Sequence, residues 1–233
     1  MIVRHDGDHS LLITQPDHAH LAGFVMAHCT ALSDHPRRRE ILRAVTDHDA
    51  GWGPEDAAPR LNPDTREIAD FIGSPAEVRQ GVWPRTVAML ADGDPWAAAL
   101  VAQHAITVYN RLHANPDWQP FFERMAELRD ELVLEGDLTL EDLEADYVFV
   151  RLGDLISLMF CTRSDDLNQF AGWSVTRTDD RVFVDPDLFG GATIPIEISA
   201  RVLPRQRFPS NEALRAALRD AETTTLRGVV SGG

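Results

Sequence analysis

The chain contains no lysine: all 22 of its fixed cations are arginine, set against 37 aspartates and glutamates, for a formal net charge of −15. That absence excludes Schiff-base catalysis and a phosphate loop ending in Gly-Lys. The acidic excess argues against nucleic-acid and anionic-membrane partners, which are held by positive stripes. Cysteine is nearly absent as well. Cys29 and Cys161 lie in apolar helical patterns with no CxxC spacing, so they read as buried thiols in a reducing compartment. No run approaches the ~18 apolar residues of a membrane span, and "MIVRHDGDHS" lacks an apolar segment of signal-peptide length. A soluble, cytoplasmic protein is expected.

What is present suffices for a real core, since 44% of the 233 residues are hydrophobic. Helix formers dominate the middle of the chain, whereas β-branched and glycine-bearing stretches cluster near both ends. The expected fold is therefore mainly α, one domain over residues 1–233. A helical body at about 17–164 would carry a small accessory antiparallel β-sheet built from about 1–14 and 172–230. "MIVRHDGDHSLLIT" predicts a hairpin turning at Asp6-Gly7. Helices are predicted from Asp17, from after Pro36 to about His48, and over about 75–91, 95–113, 117–134 and 140–163. "DAGWGPEDAAPRLNPDT" reads as a long loop, and such loops are often functional.

Residues three, four and seven apart share a helix face. On that spacing Asp154 has Tyr147, Val150, Arg151, Ser157, Leu158 and Cys161 as neighbours. A carboxylate on so apolar a face needs a charge partner or a metal. His104 lies among Leu100, Val101 and Val108, and His18 among Leu21, Ala22 and Val25. Both histidines point inward. "AVTDHDAGWG" adds His48 and Asp49 at the end of a helix, whereas His5-Asp6 falls in a solvated turn and is assigned no function. Histidines and carboxylates gathered from several helices are a standard way to build a metal site in a bundle core.

The order His18, His48-Asp49, Asp154 resembles the H…HD…D pattern of the HD-domain superfamily, helical metal-dependent phosphohydrolases with a minority of di-iron oxygenases. "HDAGW" is similar to its HDxGK form, with Trp52 in place of the lysine. That resemblance implies an HD-domain-like helical bundle. The chain also resembles domain-of-unknown-function family 3891, a bacterial family, in "LLITQPDHAHLAG", "DHDAGW", "APRLNPDT", "DPWAAALVAQHA", "LGDLISLMFC" and "VDPDLF…IPIEISARVLP".

The leading functional reading is metal-dependent hydrolysis of a small phosphate ester or nucleotide. His18, His48, Asp49, His104 and Asp154 would hold one or two divalent transition metal ions, with mixed ligands that suit Mn, Fe, Co, Ni or Zn. Asp49 and His104 would also be the catalytic side chains, and Arg60 and Trp52 would bind substrate. One alternative is a di-iron oxygenase on the same ligands. Another is a non-catalytic binding or interaction module. A small-molecule partner is expected, without nucleic acid or membrane, and homo-oligomerisation is left open.

Overall fold

Thr14 is the point where sheet gives way to helix. Its extended backbone ends the N-terminal hairpin, and its side-chain oxygen accepts the Asp17 N–H at 3.1 Å to open α1 (Gln15–Met26). In the computed structural model, which describes residues 1–233, the hairpin comprises β1 (Ile2–Asp6) and β2 (His9–Ile13). Its turn is Gly7-Asp8, one position beyond the expected pair, because Gly7 supplies the φ of +57° and Asp6 still pairs with His9. His5 and Asp6 are exposed, as a solvated strand end should be.

Five long helices follow the predicted periodicity: α1, α2 (Arg38–Asp47), α4 (Ala76–Ala91), α5 (Pro95–Val108) and α6 (Gln119–Glu135). They are joined by the short α3 (Gly53–Ala57). Asp94 caps α5 by accepting from Ala97 N–H. The longest helix, α7 (Leu140–Thr162), starts in a capping box in which Thr139 and Asp142 satisfy each other's backbone N–H groups. No helix is long and apolar enough to cross a membrane.

Glycine sets how closely the helices approach. A methyl group on Gly153 of α7 would lie 2.7 Å from Val45 Cγ1 of α2 and 2.9 Å from Met26 Cγ of α1. A methyl on Gly51 would strike the Val82 carbonyl of α4. The 3-10 turn Ala50–Trp52 can therefore dock backbone-first on α4, with Gly51 N–H donating to Thr86 Oγ1 at 3.0 Å.

The expectation of a small accessory antiparallel sheet is wrong. The chain continues through β3 (Asn168–Phe170), β4 (Trp173–Thr178), β5 (Arg181–Asp185), β6 (Thr193–Pro204), α8 (Asn211–Asp220) and β7 (Glu222–Gly232). All seven strands join one curled mixed sheet in the order β1-β2-β6-β7-β5-β4-β3. The pairing of β5 with β7 is parallel. Nor is the sheet an appendage. Ile194, Ile196, Ile198 and Ala200 alternate inward along β6, and they belong to the same hydrophobic core as the helix residues Val25, Leu100 and Ile156. The fold is thus a helical layer and a large sheet sharing one core, rather than an HD-like bundle with a fringe of strands.

Candidate metal centre

Four helical segments deliver one polar group each, or a pair, to a single buried point. His18 sits one turn into α1, His48 ends α2 with Asp49 directly after it, His104 is on α5, and Asp154 is on α7. All five are buried. His18 Nε2 lies 3.1 Å from Asp49 Oδ2, 3.6 Å from Asp154 Oδ1 and 3.2 Å from His48 Nε2. His48 Nε2 is 3.6 Å from both Asp49 Oδ2 and Asp154 Oδ1. His104 Nε2 approaches the other Asp154 oxygen, Oδ2, also at 3.6 Å. The structure thus brings together every histidine and aspartate selected by helix spacing.

The far side of each imidazole decides what its near side can do. His48 Nδ1–H donates to the Val45 carbonyl at 2.8 Å, so its proton is committed there. Ser157 spends its one hydroxyl proton on the His18 carbonyl at 2.6 Å. Ser157 can therefore only accept from His18 Nδ1–H, 2.7 Å away. His104 Nδ1 is tied to the Tyr147 hydroxyl at 3.1 Å. In their neutral forms His18 and His48 consequently aim two Nε2 lone pairs at each other, with Asp49 and Asp154 beside them. Four electron-rich atoms converging at a buried point require a proton or a metal cation among them.

Electrostatics agree. Burial lowers the His48 pKa, but the Asp49 charge and the Asp154 hydrogen bond outweigh it and push the group up to about 9. A proton on His48 is how the metal-free protein meets the demand for positive charge. Burial drives His104 down to about 3, so that ring stays neutral. Burial alone would raise Asp154, yet the His48 hydrogen bond and the Arg151 charge hold it well below the usual carboxylate range. Asp49 Oδ1 is buried with no hydrogen-bond partner at all. Two overlapping groups, His18/His48/Asp49 and His48/His104/Asp154, each have ligand atoms within 4.8 Å of one another. Two bonds of about 2.0–2.2 Å to nitrogen and oxygen reach up to about 4.4 Å across one ion, which covers the separations of 3.1 and 3.6 Å around His18 and His48.

Asp154 has two partners rather than one. Oδ1 faces the histidine pair, while Oδ2 accepts from Arg151 Nη1 at 2.5 Å. By contrast Asp146, one buried carboxylate earlier on α7, is fully satisfied by Arg37, the Trp96 indole N–H and His35, and has nothing left to offer a ligand.

The cluster opens into a cavity of about 340 Å³ whose wall includes Asp49, His104, Asp154, Trp52, Trp83 and Tyr109. Trp52 also lines a neighbouring cavity of about 320 Å³, and it is in that second cavity that Arg60 lies, half-exposed and 3.6 Å from Glu55. The arginines on the cluster's own cavity are Arg79, Arg111 and Arg151. Of the supporting groups, Ser157 and Tyr147 were visible as helical neighbours of Asp154. Arg79 and Arg111 carried no signal, because an arginine on a helix or turn reads as a solvated side chain.

A family model described as "Protein of unknown function (DUF3891)" matches residues 1–205. No curated protein and no solved structure matches the chain.

Proposed function

The chain belongs to DUF3891, a family of unknown function, and from that premise we propose that it is a metal-dependent hydrolase of a small phosphate ester, with His18, His48, Asp49, His104 and Asp154 as its metal-binding set. One observation carries the reading. The Nε2 atoms of His18 and His48 face each other at 3.2 Å with their opposite nitrogens already committed as donors. That arrangement is costly without a cation and suits an ion bound by imidazole and carboxylate, such as Mn, Fe, Co, Ni or Zn. The link to HD-type enzymes rests on the order and geometry of these ligands, not on the family match.

A bound divalent metal would polarise a substrate oxygen and acidify water. The chain's own groups do the rest. Asp49 keeps one oxygen free to take a proton from attacking water, and neutral His104 beside Asp154 offers a ring that does not compete for positive charge. Arg151, at the edge of the cluster, supplies fixed positive charge against a phosphoryl group. In the reaction the water oxygen bonds to phosphorus, the bond from phosphorus to the leaving alcohol oxygen breaks, and that oxygen departs with a proton.

The second reading is a di-iron oxygenase on the same ligands; His48 has one free nitrogen and could serve only one iron, so a second would rest on His104 and Asp154. Metal analysis of protein purified without added metal comes first, followed by assays for phosphate release and oxygen consumption. Stoichiometric metal with oxygen-independent phosphate release is expected. Stoichiometric iron with oxygen uptake selects the second reading. Metal-free protein whose structure is unchanged by a chelator would leave a non-catalytic binding module.

A further inference from the structure

Arg79 and Arg111 are the two arginines on the wall of the cluster's cavity that no carboxylate neutralises. Around them the other arginines are neutralised: Arg60 and Arg85 by Glu55, Arg129 by Asp130, and Arg151 by Asp154. Neither the Arg79 nor the Arg111 side chain has an ion pair or a hydrogen bond. Both nevertheless line the same cavity as Asp49, His104 and Asp154.

Arg79 is held without being satisfied. Its guanidinium carbon lies 5.2 Å from the Trp118 ring centroid and 5.9 Å from that of Tyr109, so aromatic faces fix its position. Its Nε is buried with no hydrogen-bond partner. Its terminal nitrogens have no partner either, so the guanidinium keeps its donors for a ligand oxygen. Arg111 stands exposed at the rim of the same cavity, on the 3-10 turn that follows α5. The remaining wall includes four aromatic rings, Trp52, Phe71, Trp83 and Tyr109, together with the aliphatic Ile72, Val108 and Leu158.

We propose that Arg79 and Arg111 form an oxyanion-binding subsite, and that the cavity takes a small aryl or otherwise flat organic anion whose charged group lies against these two guanidiniums. Forked N–H donors match phosphate and carboxylate geometry, and a flat body would rest on the indole and phenol walls. About 340 Å³ is at the lower end of the roughly 300–1,000 Å³ that small-molecule sites enclose, which limits the body to about one ring system. The assignment of this anion as substrate rests on the hydrolase reading, whereas the subsite itself does not require a metal.

The test is calorimetric titration of chelator-treated protein with phenyl phosphate and with benzoate, so that loss of metal binding and loss of anion binding are read separately. The wild-type protein is expected to bind at least one of the two. Binding should weaken at least tenfold in Arg111→Gln and again in Arg79→Lys, while Arg60→Gln binds as wild type. Arg111 is exposed, so its variant will fold, and an unchanged melting temperature and metal content verify this. Tighter binding of phenyl phosphate identifies a phosphate as the natural anion, and tighter binding of benzoate a carboxylate. No binding of either anion to wild type, unchanged affinity in Arg111→Gln, or an equal loss in Arg60→Gln overturns the proposal.

Discussion

Ser157 holds His18 at two points, donating its hydroxyl proton to the His18 carbonyl at 2.6 Å and accepting the His18 Nδ1 proton at 2.7 Å. One side chain on α7 thereby fixes both the position of α1 and the tautomer of its histidine. Ser157→Ala should weaken metal binding by about 10–100-fold, the usual effect of removing such a partner. It should also cost about 1–3 kcal/mol, since two buried polar groups lose their mate. Competition against a chromophoric chelator measures the first and denaturant unfolding the second. Undiminished metal affinity would reduce Ser157 to a packing role.

Asp154 separates metal binding from ion pairing. Asp154→Asn should abolish metal retention whether residue 151 is Arg or Leu, because Oδ1 and not the Arg151 contact faces His18 and His48. Arg151→Leu should keep the metal. Its stability loss should fall below the about 3–5 kcal/mol of a broken, fully buried pair, since Arg151 is partly exposed. Metal content and melting temperature in both single variants and the double variant decide the matter. Full metal in Asp154→Asn, with stability restored in the double, would make the carboxylate structural.

The metal-free protein should lose stability as pH rises. The folded His48 is pushed up to about 9, with Asp49 and Asp154 outweighing burial, from about 6.5 in an unfolded chain. A raised pKa means the protonated form favours the fold, so this contribution is complete below about 6.5 and is lost as pH climbs through about 9. Melting temperatures of chelator-treated protein at pH 6, 7.5 and 9 should therefore descend more steeply in wild type than in His48→Gln. Parallel descents in the two proteins would show that the cluster does not store a proton on His48.

Gly51 of "HDAGW" is held to glycine by a close approach. A methyl there meets the Val82 carbonyl of α4, and relief requires the 3-10 turn to move, carrying Asp49 with it. Gly51→Ala is expected to cost about 1–3 kcal/mol, as overpacking does, and to lose metal. Gly53, two residues on, has open space around it. Gly53→Ala should retain metal, and equal damage in both variants would show that backbone flexibility, not the close approach, is what the turn needs.

These relationships were unevenly legible in the sequence. His18, His104 and Asp154 could be selected because a helix repeats its faces every three to four residues, and a polar group among apolar neighbours is conspicuous at that spacing. Helix starts at Thr139 and Asp94 follow from their capping chemistry. The size of the sheet could not be read in the same way. The inward alternation of Ile194, Ile196 and Ile198 announces a strand, but nothing local says that β5 will lie parallel to β7 or that Asn168–Phe170 will be recruited at the edge. Arg79 and Arg111 were invisible for a related reason. What sets them apart is a place on the cluster's cavity without a carboxylate partner, and both are properties of the folded chain.

The strand order places β7, residues 222–232, between β6 and β5, at the middle of the sheet. Synthesis order differs from spatial order: the hairpin, then β3 to β5, then β6 are all made before β7, yet no strand pairs with both three-stranded pieces until β7 follows. Until then each presents an unpaired edge, the kind of surface through which partly made chains stick to one another. The family match stops at residue 205, short of this strand. A chain ended there should elute from a sizing column as oligomers, whereas monomeric behaviour would mean that the two pieces can close without the strand that now joins them.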